Sequence, residues 1–574
     1  MIPPLPKTEE PAVYNTNYIL YFNNLALDLN RLSHSLASAP HGGPALSARV
    51  LGIVHLAIHD AYFAIHPPAD GAFTTYLSEL PPLNGVTDAR QAVAGAAITA
   101  LQTLYATPST TTSTVTTFAL KQFITKAADG FPKLDVRSPS FQFGVAVARA
   151  ILDLLLYPGE PGADQGNYQP KEGPYKFRPE VNHPVRLVPN DVNNPDGPKH
   201  AEPLYYGPLY GTHTRRVAVQ MKVNGQDTEH ILADPPTLLS PKSEDVEEDL
   251  DSLLDAVRSG ATVTDARARR SPARLATGYF WAYDGTNLIG TPPRLYNQIL
   301  RKIAYTHRPV SEDVTAEANN ADFARLFALC NAAMADAGIF AWKEKWTFEY
   351  WRPLNGIREH PSGLGDPFFQ TVGTPETNRN ATSFKPPFPA YPSGHATFGG
   401  AVFQMARLYY KHRDNLDFPV DGPDNIEVDF VSDELNGINR DLSEPYDATR
   451  PIEEQIGTVR TRYPIKFKSL WSIIHGNALS RIFLGVHWRF DAFAARDALV
   501  PNVDPQPDMS PYMLNPDGST KYKAVEEVRY ETMGERSDRP GGMYPIGGVP
   551  LGLGIAADIW ESNLRPTPAH FQPA

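Results

Sequence analysis

A segment near residue 390 combines groups that can bind an oxyanion at the start of a helix. A proline-rich approach leads into Pro392-Ser393-Gly394-His395, and an apolar helical run follows through Met405. The first turn of a helix has free backbone N–H groups and lies at the positive end of the helix dipole, so it attracts anions. Ser393 adds a hydroxyl, Gly394 permits close backbone approach, and His395 can transfer protons near neutral pH. By itself this pattern is more typical of a capped surface loop, so an anion site here depends on partners elsewhere in the chain.

Two other segments supply cations that the sequence predicts to be buried. Lys345 and Arg352 are seven residues apart, so both can project from one face of a helix, and the residues between them are rich in Trp, Phe and Tyr. Further along, Arg481 and His487 flank a glycine, and Asp491 follows His487 by one helical turn. Lysine and arginine on helices are usually solvated, but a buried cation needs an anion. A carboxylate at Asp491 can accept from the imidazole N–H and fix which ring nitrogen faces the site.

A carboxylate at Asp284, in an apolar and turn-prone stretch, is a candidate counter-ion for one of the arginines. A surface Asp-Gly turn explains this stretch alone equally well. Arginine side chains grip oxyanion oxygens in a bidentate manner, which predicts a cage for a tetrahedral or trigonal-bipyramidal oxyanion. In this cage two histidines stand at opposite poles, one as ligand or nucleophile and the other as acid–base group. The cage residues are Lys345, Arg352, Ser393, Gly394 and Arg481.

Together and in this order, the segments resemble the three-part signature shared by vanadium-dependent haloperoxidases and acid phosphatases of the phosphatidate-phosphatase type. The matching words are Lys345-x6-Arg352-Pro353, Pro392-Ser393-Gly394-His395 and Ser480-Arg481-x3-Gly485-x-His487-x3-Asp491. The residues around these words, and others near both ends of the chain, are similar to fungal vanadium chloroperoxidases. The resemblance therefore covers nearly the whole chain.

The resemblance implies a vanadate cofactor and a role for each site residue. His487 would bind vanadium through a ring nitrogen, and His395 would act as the acid–base group on the opposite side. Asp284 would pair with Arg481. Trp342 and Phe388 would line the halide side. The vanadate oxygens would accept hydrogen bonds from Lys345, Arg352, Ser393, the Gly394 amide and Arg481.

The resemblance also implies an activity, the oxidation of chloride, and also bromide and iodide, by hydrogen peroxide to hypohalous acid. Vanadium(V) would act as a Lewis acid, and Lys345 would donate to the peroxide. The expected partners are hydrogen peroxide, halide and small organic halogen acceptors. Phe388 favours chloride, because bromide-preferring relatives have a histidine in the matching place.

Two alternatives stay open at the level of sequence. An acid phosphatase would use His487 as nucleophile, and the cage alone does not discriminate because vanadate mimics the phosphoryl transition state. The chain length and the apolar Trp342–Phe388 pair favour the peroxidase. An oxyanion-binding or storage protein would leave His395 without a role.

Helices must position these segments, because helical periodicity dominates and strand alternation is scarce. The pattern predicts a helical bundle over the first 157 residues and a second helical unit later, and the resemblance implies two four-helix bundles with long irregular connections and little β structure. The predicted domains are 1–270 (first bundle and a proline-rich excursion), 271–500 (second bundle with the vanadate site) and 501–574 (a turn-rich tail packed on the body).

Composition limits the function further. The chain has 574 residues and a formal net charge of −12, and this negative charge argues against nucleic-acid and anionic-membrane partners. Its single cysteine excludes an intramolecular disulfide. The sequence contains no run of about 20 uncharged apolar residues, which predicts no membrane span. The N-terminus lacks the pattern of an ordinary signal peptide, so secretion is expected from the resemblance alone. We expect a monomer, since no assembly segment is evident.

Overall fold

A computed structural model describes most of the chain. The described residues are 2–10, 12–36, 40–68, 71–107, 113–156, 168–180, 183, 185–191, 193–194, 196–220, 231–313, 316–373, 385–504, 509–530 and 544–572.

Helices form most of the regular structure in these ranges. In chain order they are α1 (Tyr18–Ser33), α2 (Pro44–Phe63), α3 (Ala89–Ala106), α4 (Thr114–Gly130), α5 (Pro139–Leu155), α6 (Tyr210–His213), α7 (Ser243–Gly260), α8 (Pro272–Phe280), α9 (Pro292–Thr306), α10 (Glu317–Phe348), α11 (Pro353–Arg358), α12 (Gly394–Arg413), α13 (Leu470–Phe483), α14 (Ala495–Ala498) and α15 (Gly548–Glu561).

The strands are short and pair only two at a time within the described ranges. Their antiparallel pairs are β1 (Val185–Pro189) with β2 (Lys199–Pro203), β3 (Val428–Val431) with β6 (Pro464–Phe467), and β4 (Arg440–Leu442) with β5 (Gly457–Val459). The predicted mainly α fold with little β structure is confirmed.

Local sequence explains how the first helices begin and pack. The Asn17 side chain caps α1 by accepting from two backbone N–H groups, and Ser138 caps α5 ahead of a proline in its first turn. Helices α3 and α5 touch backbone to backbone at Gly95 and Gly144. A Cβ on Gly144 would lie 1.9 Å from the Ala92 carbonyl oxygen, so only glycine fits there.

The long helix α10 connects the two predicted bundles. It packs against α2 on one side and α12 on another, and one continuous hydrophobic core includes residues of all three helices. By length and composition α10 could cross a membrane, although isolated charged residues keep its uncharged apolar runs far shorter than about 20 residues. Its most apolar window is entirely buried inside this protein, as expected for a core helix. The predicted domain boundaries remain a prediction.

The elements that follow α12 bring the site together. The second predicted helical unit is not continuous over residues 465–499, because β6 occupies the beginning of this stretch and α13 ends at Phe483. Gly485 then has a φ of 71°, and a Cβ there would lie 2.4 Å from the Gly260 carbonyl oxygen. This turn directs the chain toward His487. Helix α15 packs on α12, the helix that begins at the predicted oxyanion site.

Asp336, in the middle of α10, anchors a neighbouring loop. Its carboxylate accepts from the backbone N–H groups of Val217, Ala218 and Val219 at 2.7–2.8 Å, and it is fully buried. Replacing Asp336 with alanine should lower the free energy of unfolding by at least about 3 kcal/mol, because each orphaned buried N–H costs about 1–3 kcal/mol. Asp336→Asn keeps one acceptor oxygen and should lower the free energy of unfolding by less than the alanine substitution does. Denaturant titration measures both, and a loss below about 1 kcal/mol for alanine would contradict this role.

Candidate active site

The N-terminus of α12 forms one wall of the site. Ser393 is the N-cap, and its Oγ accepts from the Ala396 N–H at 3.4 Å. The Ser393 N–H donates to the Asp491 carbonyl at 2.7 Å, which ties this turn to the segment after α13. Gly394 leaves little room for a side chain, because a Cβ there would lie 3.2 Å from the Trp342 ring. The turn therefore offers backbone N–H groups and one hydroxyl at the start of a helix.

Backbone carbonyls fix the His395 imidazole. Its Nε2 lies 3.0 Å from the Trp281 carbonyl oxygen and 3.1 Å from that of Ala282. Carbonyl oxygens only accept, so Nε2 carries the proton and Nδ1 has the lone pair. Burial, together with the charges of Arg481 and Arg352, holds the pKa of His395 well below its ordinary value. His395 is therefore a neutral imidazole that can take a proton at Nδ1.

The His487 imidazole is held in the opposite tautomer. Its Nδ1 lies 2.7 Å from Asp491 Oδ2, which also accepts from the Trp488 N–H, and an Arg352 N–H donates to its Nε2 at 2.9 Å. Because a carboxylate accepts and a guanidinium donates, Nδ1 carries the proton and Nε2 the lone pair. Burial and nearby cations, with Arg352 ahead of Lys345, hold the pKa of His487 well below its ordinary value. A neutral imidazole whose N–H is bound by a carboxylate is the usual metal-binding form.

Arg352 and Arg481 have buried N–H groups for which the described residues supply no acceptor. Arg352 donates from Nε to the Phe388 carbonyl at 3.0 Å and from Nη1 to the Val486 carbonyl at 2.7 Å, but its Nη2 has no acceptor in this part of the chain. Arg481 donates from Nη2 to Asp284 Oδ1 at 2.7 Å, while its Nε and Nη1 likewise find none there. An unsatisfied buried donor costs about 1–3 kcal/mol. These three nitrogens therefore fit the oxygens of an anion.

The charges around these nitrogens favour the same ligand. Three buried cations, Lys345, Arg352 and Arg481, lie close to two carboxylates, the buried Asp491 and the partly buried Asp284, so the site has an excess of positive charge. Burial lowers the pKa of Arg352 to about 9, and Arg481 adds to the fall while Asp491 opposes it. Burial raises the pKa of Asp284, and its ion pair with Arg481 opposes that rise. An oxyanion would neutralise the excess charge.

Lys345 reaches the site but is engaged with the backbone. Its Nζ donates to the carbonyls of Pro389 at 2.9 Å, Ala390 at 2.8 Å and Pro392. An ammonium has three N–H groups, so all are used. Burial first, and then Arg352, holds the pKa of Lys345 well below its ordinary value, but the three carbonyl acceptors around Nζ favour the ammonium form. Donation from Lys345 to an oxyanion, as the resemblance implies, would require the exchange of one of these bonds.

A pocket with an empty volume of about 520 Å³ opens onto the two histidines. The Trp342 and Phe388 rings form part of its wall, with centroids 4.9 Å apart. Phe388 also lies 4.9 Å from the Arg352 guanidinium and 5.3 Å from Lys345 Nζ. The predicted site residues that line the pocket are Asp284, Trp342, Phe388, Gly394, His395, Arg481 and His487. Lys345, Arg352 and Ser393 lie beside them, so the structure brings all the predicted residues to one place.

Comparison with known proteins identifies the family. A model of the vanadium chloroperoxidase N-terminal domain matches residues 5–216, and a model of the second helical-bundle domain of these proteins matches residues 325–498. Vanadium chloroperoxidase from Curvularia inaequalis is 51% identical over 592 aligned positions, which cover 99% of this chain and 94% of that protein. This chain belongs to the vanadium chloroperoxidase family.

Solved structures agree with the fold of a vanadium chloroperoxidase. A bacterial vanadium-dependent iodoperoxidase superposes with a TM-score of 0.50 at 18% identity, over 84% of this chain and 94% of that one. At this identity the likeness concerns the fold alone.

Several residues around this vanadium chloroperoxidase site were not predicted from the sequence. Gly43 and Pro44, at the start of α2, and Tyr206, in the irregular excursion, line the pocket. Asn477 donates from its side chain to the His395 carbonyl at 2.7 Å. These residues belong to no motif, and their places follow from packing between segments distant in the chain. For Asn477 the sequence does carry one signal: it precedes Arg481 by one helical turn, so both side chains lie on the same face of a helix.

Proposed function

We propose that this protein is a vanadate-dependent haloperoxidase that oxidises chloride, and also bromide and iodide, with hydrogen peroxide to hypohalous acid. Membership of the vanadium chloroperoxidase family supports the reaction class. The observation that carries the proposal for this chain is the set of three unsatisfied guanidinium nitrogens on Arg352 and Arg481, next to the neutral His487 imidazole.

In this proposal the cage residues hold vanadate and His487 Nε2 binds the vanadium. Arg352 and Arg481 supply N–H groups to the oxygens, Ser393 and the Gly394 amide add two further donors, and Lys345 supplies positive charge. When bound, vanadate supplies Lewis-acid activation of hydrogen peroxide. Asp491 accepts from the Nδ1–H of His487 and so leaves the lone pair on Nε2, where vanadium would bind. Asp284 holds the Arg481 guanidinium in place through their ion pair.

His395 would manage the protons of the reaction. Its Nε2–H is committed to the carbonyls of Trp281 and Ala282, so Nδ1 takes a proton from the peroxide and returns it to the hypohalite. Trp342 and Phe388 would exclude water from the halide. Organic halogen acceptors then react with the hypohalous acid.

The test compares halogenation with phosphate-ester hydrolysis in the same metal-free protein. We expect that adding vanadate starts halogenation of a diketone in the presence of peroxide and chloride, and also with bromide. Halogenation that does not depend on vanadate, or that fails with both halides, would contradict the proposal. Phosphatase activity without vanadate-dependent halogenation would favour the alternative in which His487 attacks phosphorus.

Replacing Phe388 with histidine should shift the halide preference toward bromide. Chloride is the more strongly hydrated ion and depends more on a water-excluding wall, so kcat/KM for chloride should fall about tenfold relative to bromide. Phe388→Leu keeps an apolar wall and serves as the control. Steady-state assays with both halides measure the ratio, and an unchanged ratio in Phe388→His would show that another group sets halide choice.

We also propose that the protein is a secreted monomer. Secretion is supported by the resemblance to fungal relatives, and the monomer by the lack of an evident assembly segment in the sequence.

A further inference from the structure

The loop that supports both His395 and Arg481 is held by the backbone and side chains of three consecutive buried residues. The Ser432 Oγ donates to the Phe280 carbonyl at 2.6 Å, and the Asp433 N–H donates to the Tyr283 hydroxyl at 3.0 Å. The Tyr283 N–H donates to Glu434 Oε1 at 2.9 Å. Ser432 and Glu434 are at most 1% exposed. The 432–434 segment therefore binds the loop at three separate atoms.

The bound loop contains the groups that orient two site residues. The carbonyls of Trp281 and Ala282 accept from His395 Nε2, and Asp284 accepts from Arg481. Tyr283 lies between them with a φ of 39°, in the left-handed region that side chains other than glycine rarely adopt. A backbone in this conformation persists only where its surroundings hold it. The hydrogen bond from the Tyr283 N–H to Glu434 therefore stabilises the loop at the residue with the unfavourable backbone conformation.

Glu434 is itself fixed by a buried ion-pair network outside the three signature segments. Its second carboxylate oxygen accepts from Arg460, which also donates to Asp441 at 2.8 Å. The neighbouring Asp433 accepts from Arg294 at 2.7 Å. A carboxylate held on both sides in this way cannot move without breaking several buried hydrogen bonds.

We propose that Glu434 is a positioning residue for the vanadate site, which fixes the 281–284 loop and thereby the orientation of His395 and Arg481. This inference rests on the function proposed above. Loss of the Glu434 carboxylate would free the Tyr283 backbone, so the carbonyls that orient His395 and the carboxylate that orients Arg481 would move together. The residue acts through the loop and does not touch the pocket itself.

The experiment compares Glu434→Ala with Glu434→Gln, which keeps an oxygen for the Tyr283 N–H. The vanadate dissociation constant is measured by calorimetry on folded protein, alongside Tm and turnover. We expect Glu434→Ala to raise the dissociation constant about tenfold or more, in the range found for outer-shell partners of metal sites. Glu434→Gln should stay within about threefold of the unsubstituted protein, because it keeps the acceptor.

Asp336→Asn is the matched control, because Asp336 is also a buried carboxylate that accepts backbone N–H groups. It lies about 14 Å along α10 from Lys345, so it should lower Tm and leave the vanadate dissociation constant unchanged. If Glu434→Ala lowers Tm like Asp336→Asn and keeps the dissociation constant within about twofold of the unsubstituted protein, a purely structural role replaces this inference.

If Glu434→Ala does not fold, Ser432→Ala decides in the same assay, since it removes the bond to the Phe280 carbonyl and the Oγ acceptor of the Glu434 N–H, which fixes Glu434 beside the loop. We then expect a weaker rise in the dissociation constant, about threefold, and an unchanged value overturns the inference. Failure of the unsubstituted protein to bind vanadate would refute the proposed function, whereas normal binding by the unsubstituted protein and by Glu434→Ala would refute only the role of Glu434.

Discussion

Replacing His487 with alanine is expected to abolish tight vanadate binding. The substitution removes the only neutral ring nitrogen that lies within hydrogen-bond distance of Arg352 Nη1 among the described residues, and with it the proposed bond to vanadium. The dissociation constant should rise at least about a hundredfold, because even outer-shell partners of a metal site cost about 10–100-fold. Turnover should disappear with the cofactor.

Another buried histidine, His475 on α13, provides the control for this experiment. His475 bonds through Nδ1 to the Tyr530 hydroxyl at 2.7 Å, and burial lowers its pKa to about 4. His475→Ala should therefore destabilise the protein without changing the affinity for vanadate. Calorimetric titration of both variants measures the difference. An unaltered affinity in His487→Ala would mean that the vanadium ligand has been assigned to the wrong histidine.

Replacing His395 with alanine should impair turnover far more than binding. Its Nε2–H is committed to two carbonyls, so the residue contributes a base at Nδ1 rather than a donor to the anion. The loss of general acid–base catalysis should lower kcat by about 10²–10⁴-fold, while the vanadate dissociation constant changes less than about tenfold.

The pH dependence of turnover follows from the same histidine. The pKa of His395 lies well below its ordinary value because of burial and the charges of Arg481 and Arg352. The base is therefore present at neutral pH and is lost only as the pH falls through this lowered pKa. In a pH profile of kcat, the residual activity of His395→Ala should lack this acidic limb.

The two variants together test the assignment of the histidines. If His395→Ala loses vanadate while His487→Ala retains it, the two roles are reversed.

Local patterns predicted the parts of the site that are contiguous in sequence. Ser393 caps α12 where the Pro-Ser-Gly-His word predicted a helix start, and Asp491 bonds to His487 one turn away as the spacing suggested. Asp284 pairs with Arg481, which the stretch alone left undecided between an ion pair and a surface turn. The local sequence carries these signals because capping and i, i+4 contacts act over a few residues.

Contacts between segments that are distant in the sequence could not be predicted from local patterns. Lys345 gives its N–H groups to the carbonyls that precede Ser393, and nothing in its own helix indicates this. Pro44 reaches the pocket because α2 packs along α10, and Tyr206 is held there because Trp342 and Trp346 donate to its carbonyl. The support of Tyr283 by Glu434 joins residues 151 positions apart. Such contacts depend on how helices pack, which composition and spacing do not specify.

A crystal structure of the protein with vanadate would test the assignment of the site most directly. It should place vanadium on Nε2 of His487, with oxygens at the Arg352 Nη2 and at the Arg481 Nε and Nη1 that lack acceptors among the residues described here. The Arg352 Nη1 bond to His487 should be released. Vanadium bonded to His395 instead, or bound outside this pocket, would contradict the proposed cage.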